Sequence, residues 1–347
     1  RHRKELHVKR PQALARIADL PGVRVSSPWI LVACAALACL PASAQDTAEP
    51  SLDLGGAVRF NLGWLEYADP PNEGELKLEL LRFDAKGQRG PLSFSLQYRW
   101  YDGFDAVHHA WAAYAPSPGS QWKLGIQQVP FGLLPYASHG FWFGSGYYLG
   151  LEDDYDPGLV YHRGREDQDL HIGVFTGDEY GDGTRFDRYS FDVADDGVLR
   201  YREAERANLR WARRWAGDDG GLEFGASGFA GRVQDQASGR HHDHHGAAAH
   251  LQYTRGNWTW QGQWAWYRYD VPGSRLALSA FLVPFEIASE GHVLTANAAW
   301  ALPSSGWFDG ITCYNNLSTT QGRGAGSGDS WQNVLGCSFA KGKSFTY

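Results

Sequence analysis

The sequence predicts an all-β protein: a transmembrane antiparallel β-barrel of about 16 strands. Three observations predict it. First, apolar and polar residues alternate along almost the whole chain. Leu52, Leu54, Val58, Phe60, Leu62 and Trp64 share one parity, and Asp53, Arg59 and Asn61 the other. A strand with one greasy and one polar face suits a cylinder with lipid outside and water inside. Second, aromatics make up 14% of the chain, including 15 Trp, as expected where girdles sit at both membrane interfaces. Third, mean hydropathy is −0.43, and nothing after Ala44 offers the roughly 20 apolar residues of a spanning helix. A membrane chain without such a helix must satisfy its backbone groups in a closed barrel.

Two regions follow in order. Residues 1–44 read as a basic segment plus signal peptide. Arg1, Arg3, Lys4, Lys9, Arg10, Arg16 and Arg24 precede an apolar run from Trp29 to Leu40, and Ala42-Ser43-Ala44 is an A-x-A cleavage pattern. Residues 45–347 read as the barrel. Its strands centre on 52–64, 75–84, 91–101, 107–115, 121–130, 157–163, 168–176, 204–215, 221–231, 247–254, 257–268, 292–301, 310–317, 331–340 and 343–347. Parity justifies them: Leu92, Phe94, Leu96, Tyr98 and Trp100 oppose Ser93, Ser95, Gln97 and Arg99. Trp258, Trp260, Trp264 and Trp266 oppose Thr259, Gln261, Gln263 and Tyr267.

The links alternate in length. Short Gly/Pro/Ser/Asp turns, such as Lys86–Gly90 and Pro116–Ser120, alternate with long polar links at 132–156, 177–203, 232–246, 270–291 and 318–330. Bacterial barrels pair short periplasmic turns with long external loops. The fifteenth strand would then head outward and stop at Tyr347. An even-stranded barrel therefore implies that the last strand is truncated and the barrel incomplete at its C-terminus.

Charge and motifs exclude several classes. The full chain carries net charge −7, and residues 45–347 hold 25 Lys/Arg against 37 Asp/Glu, net −12. This argues against a nucleic-acid partner. No G-x-S-x-G elbow or H-E-x-x-H pair is present, and the spacing of His139, Ser145 and Asp153 supports no triad, so no enzyme is expected. No nucleotide motif precedes the barrel, and no cofactor is implied. Cys313 and Cys337 fall in neighbouring strands. A periplasmic route permits a disulfide between them; both also read as small apolar side chains.

The candidate pore-lining residues are Arg59, Lys77, Arg99, Lys123 and Arg210, on the lumen-facing parity. They form either a basic ladder for anions or ordinary polar filling, partly neutralised by Asp53, Glu79 and Glu223. The link 132–156 is rich in Gly and aromatics and too apolar to stand in water. It is expected to fold inward as a constriction loop, with Trp142, Phe143, Tyr147 and Tyr148 on the wall; the alternative is an external loop covering a neighbouring subunit. Its acidic end, Glu152, Asp153 and Asp154, would filter cations, hold a divalent ion, or be a solvated cluster. His241, His242, His244 and His245 are a dense potential ligand set. Imidazoles need opposed geometry to bind a metal, and this run falls in a polar link, so it reads as a hydrophilic loop tip. Asp178, Asp182 and Asp187 miss the EF-hand spacing, and no metal site is assigned.

Leu124-Gly125-Ile126-Gln127-Gln128-Val129-Pro130-Phe131-Gly132 resembles the strand end "G-x-x-x-x-P-F-G" of the phosphate-selective porins O and P. Tyr155-Asp156-Pro157-Gly158-Leu159-Val160-Tyr161 resembles the strand re-entry after that family's long loop, and Gly310–Asn316 is similar to a late strand. The resemblance implies a 16-stranded homotrimeric barrel in outer-membrane lipid. It would pass small hydrophilic solutes or ions, phosphate and other anions among them, by passive diffusion. The chain departs from the family in lacking an arginine-rich stretch in the long loop. Two other classes stand beside the channel: a structural or adhesion barrel with a filled lumen, and a membrane-embedded hydrolase.

Overall fold

The computed structural model describes residues 50–65, 72–303, 306–324 and 327–347. Residues 1–44, expected to be a basic segment plus signal peptide, lie with Cys34 and Cys39 outside the described residues. One antiparallel sheet carries fifteen strands. In chain order these are β1 (Ser51–Leu65), β2 (Asn72–Arg89), β3 (Leu92–Tyr101), β4 (Asp105–Ser117), β5 (Ser120–Gln128), β6 (Tyr155–Gly164) and β7 (Gln168–Phe175). After β8 (Asp192–Ala194) the sheet continues with β9 (Tyr201–Gly217), β10 (Gly220–Asp235), β11 (His241–Arg255) and β12 (Trp258–Tyr269). After β13 (Arg275–Ala280) and β14 (Val283–Ala288) it ends with β15 (Glu290–Leu302), β16 (Gly310–Arg323), β17 (Asp329–Lys341) and β18 (Ser344–Thr346). Every strand expected from parity coincides with one of the fifteen. Each sequential neighbour in the sheet pairs, as in an up-and-down barrel wall.

The outward face is apolar. Leu52 is 67% exposed, Phe60 61% and Trp64 63%, values that make sense only where hydrocarbon replaces water. Trp258 stacks on Trp260 and on Trp300 across the β12–β15 pair, both at 5.6 Å between ring centroids. The β1–β2 register shifts twice, at Gly74 and again within the leucine-rich stretch of β2. Arg59 faces Leu80 and Phe60 faces Leu78, so Glu79 is an extra residue, a β-bulge. The bulge shifts parity: Leu76 and Leu78 point out before it, Leu81 and Phe83 after it. Arg82 and Lys86 thereby turn inward.

Two of the long links differ from expectation. Instead of external loops, 177–203 and 270–291 supply a second sheet in the order β14-β13-β8. Its Val193, Leu276 and Leu278 are fully buried against wall residues Phe229, Val233, Tyr267 and Val293 and against Phe131, Leu149 and Leu151 of the 132–156 link. Each such side chain contributes about 1.5–3 kcal/mol by leaving water. The apolar core therefore lies inside the wall, built where inward loops meet it. The link at 232–246 is shorter than expected, because β10 runs to Asp235 and β11 begins at His241.

Cys313 and Cys337 stand opposite each other in the β16–β17 register, and a disulfide joins them.

Candidate functional site

The segment between β5 and β6 crosses the interior. Its base is closed by the Val129 N–H donating to the Asp154 carbonyl (2.8 Å). From there it reaches inward-facing side chains on the far wall. The Gly132 N–H donates to Ser227 Oγ of β10 (2.9 Å) and the Leu133 N–H to Gln263 Oε1 of β12 (2.7 Å). Arg210 Nε of β9 donates to the Gly132 carbonyl (2.7 Å), and Asn297 Nδ2 of β15 to the Ala137 carbonyl (2.9 Å). The Ser145 N–H donates to Ser318 Oγ of β16 (2.8 Å). The polar parity of these strands is thus consumed in holding the segment, which otherwise would bury unpaired backbone groups. Gly132 is required at the crossing. Its φ is +60°, and a Cβ would lie 2.2 Å from Gln263 Oε1.

The aromatics of the segment meet a second inward fold more than the wall. Phe143 stacks on Tyr147 within a short helix, α1 (Ser145–Tyr148), and its approach, at 4.2 Å. Tyr147 and Tyr148 pack edge-on to Phe191 (5.1 and 5.4 Å). Trp142 stays half exposed beside Phe141, whose ring lies 4.3 Å from the Arg59 guanidinium carbon.

The acidic end of the segment is buried, not solvated. Glu152 accepts from the Ala137 N–H (3.0 Å) and from Gln263 Nε2 (2.5 Å). Burial pushes its pKa up to about 7, against the pull of those two donors. Asp153 accepts from the Tyr189 hydroxyl (2.5 Å), and burial likewise raises it. Asp154 pairs with Arg206 (2.6 Å).

Two cavities lie along β1–β5, and another, of about 480 Å³, is bounded by Tyr267, Phe285, Thr320 and Trp331 on the opposite side. A cavity of about 730 Å³ is bounded by Arg59, Glu79, Arg82, Arg99 and His108 of β1–β4 and by the rings of Phe141, Trp142 and Phe143. A second, of about 550 Å³, is bounded by Asp53, Lys86, His109 and Lys123 of β1–β5. Tyr155 borders both. A register shift in β4 puts His108 and His109 on the same side, Nδ1 to Nδ1 at 2.9 Å, one at each cavity. Basic residues outnumber acidic ones along this strip. Arg59 pairs with Glu79 and Arg82 with Asp84, both at 2.9 Å. Arg99 and Lys123 make no ion pair among the described residues. Arg99 donates to Gln97 Oε1 (2.7 Å) and lies over the Tyr189 ring (4.5 Å); Lys123 lies over Trp111 (4.4 Å).

Of the five residues chosen by parity, Arg59, Arg99 and Lys123 line these cavities. Arg210 lies elsewhere. It is 1% exposed and held by Asp169 (3.3 Å) and Glu223 (3.1 Å) beneath the crossing segment. Lys77 is exposed and paired with Glu75 (2.9 Å). Sequence parity missed Arg82, because the bulge at Glu79 inverts the pattern, with the doublet Leu80-Leu81 as its signature; Lys86 was read as part of the turn Lys86–Gly90, whereas β2 runs on to Arg89.

The histidine run is strand, not loop tip. In β11 the period of two sends His242 and His244 to one face and His241 and His245 to the other, so the four cannot converge on one metal. His244 stacks on Tyr269 (3.6 Å). His139, Ser145 and Asp153 are bonded to Asn316, Ser318 and Tyr189 rather than to one another.

No protein-family model matches the chain, and no curated protein matches it. Among solved structures it is similar to the outer-membrane expressed OmpT of Vibrio cholerae, with 12% identity over 85% of this chain and 83% of that one, TM-score 0.50. It is also similar to the outer membrane channel DcaP of Acinetobacter baumannii, with 11% identity over 85% and 97%, TM-score 0.50. The fold is that of an outer-membrane β-barrel.

Proposed function

We propose that this chain is an outer-membrane porin that passes small hydrophilic solutes by passive diffusion. One observation carries the reading: a strip of two adjoining cavities, lined by basic side chains of β1–β5 and faced in the first by aromatic rings, runs inside a wall whose outer face is apolar. The excess of Arg and Lys along the strip supports a preference for anions, because unpaired cations lower the barrier for an anion that sheds part of its hydration. Phosphate fits that charge. Its arginines would come from the β1–β5 wall rather than from the constriction loop, unlike the phosphate-selective family the sequence resembles. A homotrimer follows from the same resemblance and is checked by the mass of the detergent complex.

Planar bilayers test the reading. Stepwise conductance is expected, with a reversal potential across a salt gradient on the anion side. Arg99→Gln and Lys123→Gln together should move it toward cations. An electrically silent barrel would end the channel reading in favour of a structural or adhesion role, and unmoved selectivity would reject the basic strip.

A further inference from the structure

Where the crossing segment rejoins the wall, buried carboxyl groups outnumber buried guanidinium groups. Asp154, Asp156, Asp178, Glu179 and Asp192 are all 9% exposed or less, and the cations buried among them are Arg188 and Arg206. Arg206 Nη2 takes Asp154 Oδ2 (2.6 Å) and Asp156 Oδ2 (2.5 Å). Arg188 Nη1 lies 3.3 Å from Asp178 and 3.4 Å from Asp192. These contacts leave a remainder. The Oδ1 atoms of Asp154, Asp156 and Asp192 are each buried and accept no hydrogen bond. Burial of a carboxylate oxygen without a partner is among the most costly arrangements in a protein interior.

The three side chains converge. One carboxylate oxygen from each lies within 4.8 Å of the others. That closeness accommodates a calcium shell, with oxygens about 2.3–2.6 Å from the ion. The donors are hard oxygens only, with no imidazole or thiolate, which selects calcium-like ions over zinc or copper. They come from three places: Asp154 ends the crossing segment, Asp156 is the second residue of the wall strand β6, and Asp192 belongs to β8 of the inner sheet.

We propose that Asp154, Asp156 and Asp192 bind a calcium ion that ties the crossing segment, the wall and the inner sheet together. The ion would supply the positive charge that two arginines leave short. It would also give the orphaned oxygens a partner.

The test uses the full chain folded in detergent, stripped with a chelator and titrated with calcium by calorimetry. Terbium serves as a luminescent substitute excited through nearby Tyr155 and Tyr189. Saturable calcium binding is expected, weakened at least tenfold in Asp192→Asn and unchanged in Asp243→Asn, which alters the separate, exposed group of Asp243, His245 and Asp270. Thermal unfolding is the second measurement. Calcium should raise the midpoint of the wild type but not of Asp192→Asn. In chelator the variant should melt no lower than the wild type, because it removes one of the repelling charges. Asp156→Asn serves the same purpose if Asp192→Asn fails to fold. Absence of saturable binding to the wild type overturns the proposal, as does equal affinity in the folded variant. Neither readout depends on conductance, so the site stands or falls apart from transport.

Discussion

Glu152 shows how single residues hold the interior. Its carboxylate receives two donors, the Ala137 N–H and the Gln263 amide. Glu152→Ala strands both, and each stranded donor costs about 1–3 kcal/mol; a lowered unfolding midpoint and a noisier open-channel current would register it. Burial raises this carboxyl from 4.5 to about 7, and Glu179 likewise to about 7. The folded chain therefore keeps protons that the unfolded chain has released between those values. The associated stability is full below pH 4.5 and is lost as pH rises through about 7. In chelator, the unfolding midpoint should fall between pH 5 and pH 8, and the slope should lessen in Glu152→Gln. A flat profile would contradict the burial of these acids. Gly132→Ala attacks the same crossing from the backbone side, since the added Cβ meets the Gln263 side chain. Weaker anchoring and higher conductance are expected in bilayers.

At the scale of elements, the fifteen wall strands were legible because lipid on one side and water on the other impose a period of two that needs no tertiary partner to be seen. The inward crossing was legible too, from the aromatic and glycine content of 132–156. The inner sheet was not. Leu276, Ala277 and Leu278 are buried in succession, so both faces of β13 are covered and no alternation marks it. The histidine run misled for the opposite reason: dense polar residues suggest a loop, yet β11 carries them as inward packing and outward surface. Parity also failed at the β2 bulge, where one extra residue moves Arg82 from the lipid register into the lumen. If the inner sheet holds the loops in place, Leu278→Ala should cost about 2–5 kcal/mol. It should also raise proteolysis within 177–200 while the wall stays resistant. Coincident cleavage of wall and loops would show the two to be one cooperative unit.

The whole molecule is governed by what surrounds it. An outward Trp on a central strand is stabilised by hydrocarbon, so Trp264→Arg should cost about 2–4 kcal/mol when unfolding is followed in lipid vesicles near mid-bilayer depth. The crossing segment is fastened to β9, β10, β12, β15 and β16, whereas the two cavities that Arg99 and Lys123 line border β1–β5. A solute following those two cavities would accordingly brush the β1–β5 flank. Changes on the fastened flank should act on permeation only through loosened anchoring; changes along β1–β5 should shift selectivity with stability unchanged. The two properties can then be retuned separately, by drawing substitutions from different stretches of the same chain.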